Sequence, residues 1–178
     1  MRCSAVLLAG GKSSRMGRDK AFLEFDGEPL WRRQLETLKK LSPVELMISG
    51  PRREEWREFE NVSDEVAGAG PLAGVAAALR KCSAPSLVVL AVDLPRITPD
   101  FLHSLGEGAV PRSPAGLEPL AAVYPATCLP LALQALQSGD FSMQNFVRRG
   151  IDQGLLVEHK ISEAESLLFT NLNTPADL

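Results

Sequence analysis

Two unbroken apolar runs, SAVLLAG at 4–10 and SLVVLAVD at 86–93, constrain the fold of this chain more than any other feature. Neither alternates with polar residues. Each therefore reads as a strand buried on both faces, the pattern of a parallel sheet covered by helices above and below. Helical patterns lie between and after them. PLWRRQLETLKKL places Leu30, Trp31, Leu35, Leu38 and Leu41 on one stripe, with Pro29 suited to the first turn. GPLAGVAAALRKC begins with Gly70 and Pro71 and continues alanine-rich, as a helix lying close to a flat surface does. TPDFLHSL carries Thr98 as an N-cap and Pro99 behind it. Further strands are read at VELMIS, at the end NVSDE, at AVPRS and PLAAVYP around the turn PAGLE, and at LLVEHKI. Helices are read at TCLPLALQALQSG, ending at Gly139, and at SMQNFVRRG, ending at Gly150. Alternating strands and helices predict an α/β doubly wound, mostly parallel sheet with helices on both faces. With no repeat, linker or low-complexity tract, 1–178 is read as a single domain.

The chain is long enough to bury a core without staples, and 45% hydrophobic residues exclude a disordered chain. A net charge of −3 gives no duplex-binding surface. Cys3, Cys82 and Cys128 are far apart and odd in number, which fits neither a disulfide framework nor a zinc site and suits a reducing cytoplasm. The apolar run at 5–9 is too short for a secretory signal, and no run has the length of a membrane span.

In open α/β sheets ligands sit outside the C-terminal ends of the strands. Two features fall there. The first is LAGGKSSRMGRDK at 8–20. Its glycines, Gly10, Gly11 and Gly17, miss the GxGxxG spacing, and Arg18 after Gly17 breaks the GxxxxGK[ST] pattern. It still suits phosphates: glycines let backbone N–H groups approach an anion, Ser13 and Ser14 add donors, and Lys12, Arg15 and Lys20 add charge. Its alternative is a solvated surface loop, and its charge does not say which end of a nucleotide Lys12 faces. The second feature is Asp93. It reads either as a turn cap before Pro95 or as a ligand to Mg2+, which commonly takes one or two carboxylates plus substrate phosphates.

Taken together, LAGGKSSRMGRDK, GPLAG (70–74), VDLP (92–95), EPLAAVYP (118–125) and NLNTPADL (171–178) resemble the nucleotidyltransferase superfamily and, within it, the MobA-like molybdenum cofactor guanylyltransferases. The segments occur in family order and span essentially the whole chain. The resemblance implies a Rossmann-like nucleotidyltransferase fold and transfer of GMP from GTP to the terminal phosphate of molybdopterin, with release of pyrophosphate. It implies that Leu8, Ala9, Gly10 and Gly11 meet the nucleotide and that Lys20, with Arg15, holds phosphates. It further implies that Asp93 binds magnesium with Asn173 as a further metal ligand, that Asp64 lies near ribose and base and Gly70 against the base edge, and that Asn171 and Asn173 face the pterin substrate; Ser49 stands where family members often carry Asn. Arg112, in PRSPAGLEP, is either a further pterin contact or a plain surface residue. The implied partners are GTP, molybdopterin and a molybdoenzyme or accessory biosynthesis protein, with no nucleic acid and no membrane.

Other residues read as structural. Trp31, Trp56, Phe101 and Phe141 fall on helix stripes, RREEWRE is a solvated, salt-bridged face, and His103 and His159 are structural or exposed. A molybdopterin cytidylyltransferase would show AAG in place of AGG at 9–11 and lack GPLAG. A sugar-phosphate enzyme would need a second domain. A Rossmann oxidoreductase would need GxGxxG. A non-catalytic guanine-nucleotide-binding protein would keep the loop without needing NLNTP.

Overall fold

The computed structural model describes residues 2–10, 19–62, 66 and 68–170. The first apolar run is strand β1 (Cys3–Leu8), buried throughout. A short antiparallel hairpin, β2 (Glu24–Phe25) and β3 (Glu28–Pro29), leads into helix α1 (Leu30–Lys39). The chain continues through β4 (Leu46–Ser49), β5 (Glu60–Val62) and helix α2 (Pro71–Lys81). The second apolar run is β6 (Ser86–Ala91), also buried throughout. Helix α3 (Pro99–Ser104) follows, with Thr98 Oγ1 accepting from Phe101 N at 3.2 Å as the N-cap pattern predicts. Then come β7 (Ala109–Ser113), β8 (Gly116–Leu117), β9 (Ala121–Pro125), α4 (Leu129–Gln137), α5 (Met143–Asp152), β10 (Val157–Lys160) and α6 (Glu163–Ser166).

The main sheet has the order β5-β4-β1-β6-β9. The first four strands are parallel, and β9 runs antiparallel to β6. Leu8 lies opposite Ser49 on one side and Ala91 on the other, and Ser49 lies opposite Val62. The four parallel strands therefore end level. Because β4 and β6 leave β1 in opposite directions across the sheet, this end is a topological switch point. A smaller sheet of order β10-β7-β8 stands beside it.

The unbroken apolar runs have a direct cause, since each strand serves two cores. Cys3, Ala5 and Leu7 of β1, with Val88 and Leu90 of β6, pack with Leu30, Trp31, Leu35 and Leu38 of α1. Val6, Leu8, Leu87 and Val89 point the other way, into a core with Leu72, Val75 and Leu79 of α2 and residues of α4 and α5. Strand side chains alternate faces, so both faces must be apolar. Trp31 and Phe101 are buried as the stripes predict, and Trp56 is buried too, but in a three-residue 3-10 turn (Glu54–Trp56) and not on a helix stripe. His103 is exposed and His159 half-buried.

Two expectations are corrected. Phe141 is 38% exposed and belongs to no helix stripe. Ser142 is the N-cap of α5, its Oγ accepting from Asn145 N at 3.3 Å, so the helix begins after Phe141 and offers it no buried face. Gly150 does not end α5, which runs on to Asp152. Its role is space: a Cβ there would collide with Leu156, which packs against the helix at that point. Among the described residues no helix is long and apolar enough to cross a membrane.

Candidate functional site

The site is built on the level end of the parallel strands. On one flank the material is backbone. Leu8 O accepts from Val92 N at 3.0 Å, and Ala9 N donates to Ser49 O at 2.8 Å, so 8–9 are held between the strands on either side. Leu8 and Ala9 are buried and Gly10 is exposed, which puts the start of the glycine-rich loop at the surface. Ser49 is buried beneath α2. A Cβ on Gly74 would collide with Ser49 Oγ and crowd Leu8, so GPLAG needs its second glycine to let the helix settle on the strand ends. Gly70 is the N-cap of α2 with φ +64 and ψ −154, a backbone region reserved for glycine.

On the other flank the material is charged side chains. Lys20 Nζ and Asp93 Oδ2 are 3.3 Å apart, each side chain about one quarter exposed at 25% and 24%. Among the described residues the Asp93 carboxylate accepts from Lys20 and from no turn amide, so the turn-cap alternative finds no support. Lys20 opens a short 3-10 helix, Lys20–Phe22, capped by Asp19, whose Oδ1 accepts from Ala21 N at 3.1 Å. Asp19 Oδ2 in turn pairs with Arg53 at 2.7 Å. The turn that carries Asp93 is held from α1. Gln34, fully buried, donates from Nε2 to Leu94 O at 2.5 Å, and Arg33 Nε donates to Pro95 O at 2.9 Å.

Gln34, Arg33 and Arg53 were not legible as site residues. The one available signal was a glutamine standing within the apolar stripe of α1, where a buried amide must find backbone partners. Ser113 Oγ donates to Glu118 Oε1 at 2.7 Å where the chain passes from β8 to β9. Burial raises the Glu118 pKa above its ordinary value, and the Ser113 hydrogen bond opposes that only in part.

Of the residues singled out in the sequence, Leu8, Ala9, Gly10, Lys20, Ser49 and Asp93 come together at this end of the sheet. Arg112 lies on β7 with its guanidinium 2.9 Å from Glu158 of β10. Gly11, Lys12, Arg15, Asp64, Asn171 and Asn173 lie outside the described residues. Among the described residues there is no group of three or more His, Cys, Asp or Glu able to enclose a metal. A lone, partly exposed carboxylate with Lys20 on one oxygen suits a hard cation that takes its remaining ligands from phosphates and water.

The chain is similar to known proteins along its length. A family profile described as "MobA-like NTP transferase domain" matches residues 5–154. A relative from Opitutus terrae named "Probable molybdenum cofactor guanylyltransferase" is 41% identical over 185 residues, covering 98% of this chain and 92% of the relative. The "Molybdenum cofactor guanylyltransferase" of Pseudomonas putida strain KT2440 is 33% identical over 190 residues, covering 99% and 95%. The crystal structure of "Molybdopterin-guanine dinucleotide biosynthesis protein A" from Archaeoglobus fulgidus superposes with a TM-score of 0.76 at 27% identity, covering 98% of this chain and 94% of that one.

Proposed function

The chain belongs to the MobA-like NTP transferase family, a family of nucleotidyltransferases, and we propose that it transfers GMP from GTP to the terminal phosphate of molybdopterin. In the reaction an oxygen of that phosphate attacks the α-phosphorus of GTP. One P–O bond forms, the bond to the β-phosphate breaks, and pyrophosphate leaves. The nucleophile is ionised near neutral pH, so no general base is needed. Catalysis is then in-line positioning plus relief of developing charge.

The observation that carries this reading is the Lys20–Asp93 pair, 3.3 Å apart at the level ends of the parallel strands. The backbone of Leu8, Ala9, Gly10 and Gly11 lies along the nucleotide. Ser49, Asp64 and Gly70 meet the base and ribose. Lys20 and Arg15 take the charge that builds on the departing pyrophosphate. Asp93, with Asn173, would hold Mg2+, which when bound would supply Lewis-acid charge for the transfer. Asn171, Asn173 and Arg112 contact the pterin. Residues 1–178 act as one domain in the cytoplasm, handing the product to a molybdoenzyme or accessory biosynthesis protein, without nucleic acid or membrane.

A pyrophosphate-release assay with GTP or CTP, with and without molybdopterin, tests the reading. Release is expected only when GTP, Mg2+ and molybdopterin are all present. Release with CTP alone of the two nucleotides would overturn the guanine assignment.

A further inference from the structure

We infer that Gln34, with Arg33 beside it, is the positioning residue for Asp93, and that helix α1 thereby sets where the carboxylate stands relative to Lys20. This rests on the transfer reaction proposed above and adds to it a residue that acts through another.

The turn that carries Asp93 is weakly closed by its own backbone. Asp93 lies between Ala91 and Leu94, and the bond from Leu94 N to Ala91 O is 3.4 Å long, outside the usual range of about 2.7–3.2 Å. Helix α1 supplies what is lacking. Gln34 Nε2 donates to Leu94 O at 2.5 Å and reaches Ala91 O at 3.4 Å, so one amide group bridges the carbonyls on both sides of Asp93. Arg33 Nε donates to the next carbonyl, Pro95 O, at 2.9 Å. Three carbonyls around the carboxylate are thus held by two adjacent residues of one helix.

The same helix is tied to the other charge. Lys20 opens the Lys20–Phe22 turn, and Leu23 N donates back to Lys20 O at 3.1 Å. Leu23 O then accepts from Leu30 N, the first residue of α1, at 2.9 Å. The start of α1 therefore bears on Lys20, and its next turn bears on Asp93. The helix is a firm platform, because Leu30 and Leu38, one turn to either side of Gln34, are fully buried, as is Gln34 itself. Lys20 Nζ and Asp93 Oδ2 meet at 3.3 Å across this arrangement.

A glutamine here is a poor choice for stability alone. Among the described residues Gln34 Oε1 is buried with no hydrogen-bond partner, a cost that an apolar side chain of the same length would not carry. Turning the amide over does not help, since it would set Oε1 against two carbonyl oxygens. A buried amide that leaves its own acceptor unmet while bridging the turn serves the placement of that turn.

The wild type, Gln34→Met and Arg33→Met are compared by three measurements. Pyrophosphate release with GTP, Mg2+ and molybdopterin gives kcat and KM. Amide hydrogen exchange followed by NMR reads the turn at 92–94 against strand β1. Circular dichroism reads the folded fraction at the assay temperature. Gln34→Met keeps the length of the side chain and removes its donors. It should lower kcat about 10–100-fold, on the scale of a group misplaced by about 1 Å. The KM for GTP should stay within about twofold, because the nucleotide is held elsewhere. Exchange at 92–94 should rise about 3–10-fold while β1 stays protected. Arg33→Met should lower kcat about 3–10-fold and serves if the first variant does not fold. A merely structural role predicts a loss of kcat that only follows the folded fraction. That result would overturn the inference, as would unchanged exchange at 92–94, unchanged kcat in the folded variants, or a kcat loss accompanied by a matching rise in GTP KM. If the wild type releases no pyrophosphate, the transfer reading fails, and exchange at the turn still reads whether Gln34 holds Asp93.

Discussion

The two flanks of the site are made of different material. Toward β4 the chain presents backbone and small residues: Leu8 and Ala9 locked in the sheet, exposed Gly10, and Gly74 clearing room for Ser49. On the other side it presents Lys20 and Asp93, which meet across 73 residues. On the proposed function, the difference follows from what each flank must do. A flat base and a phosphate chain need close approach and N–H groups, which any side chain would obstruct. The transfer itself needs a few charges aimed at fixed points, and these must be held by a supporting layer. The first flank is therefore vulnerable to added volume and the second to lost charge.

The comparison breaks most visibly at the charged flank. Asp93→Ala should abolish transfer, measured as pyrophosphate release. The fold should change by no more than about ±0.5 kcal/mol, because a partly exposed carboxylate contributes no core volume. Lys20→Ala should lower turnover about 10²–10³-fold, the scale of one charge-stabilising donor. Full activity in either variant would remove that residue from the chemistry.

At the backbone flank the expected failure is of packing. Gly74→Ala drives a methyl into Ser49 Oγ and Leu8 and should cost about 1–3 kcal/mol in urea denaturation, with a raised KM for GTP. Wild-type stability together with wild-type KM would mean that this flank is not closely packed.

The smallest effect is expected at the opposite end of the strands, remote from both flanks. There Glu45 accepts from Ser4 and Ser83. Partial burial works to raise its pKa, but the three hydrogen bonds from Ser4 and Ser83, with the charge of Arg2, outweigh it and the folded value lies below the ordinary 4.5. Between those values the unfolded chain binds more protons, so stability rises with pH through that window. The contribution is present above about pH 4.5 and is lost as pH falls through the folded value. Glu45→Gln should lower Tm by about 1–3 °C at pH 7 and converge with the wild type once pH falls below the folded value, with turnover unchanged. A difference that persists at low pH would assign the effect to shape and not charge.

The legible parts of this protein are those encoded by neighbours in the chain. The two-faced strands β1 and β6, the helix stripe of α1, the Pro71 start of α2 and the Thr98 cap depend on local periodicity and local hydrogen bonds, and all are found where the pattern puts them. Asp93 was legible because a strand's end can be read from where its apolar run stops. The exposed Phe141 and the mid-helix Gly150 escaped, since one depends on where a cap falls and the other on Leu156 packing from the next strand's approach.

By itself the sequence determined the α/β class, both buried strands and the carboxylate just past the end of the second run. Tertiary structure alone decided which side chains hold these in place. The Gln34 amide reaches Leu94 across 60 residues and Lys20 reaches Asp93 across 73. Periodicity reports which face of an element is apolar. It cannot report which polar groups meet when distant elements are brought together, because that depends on strand order and register.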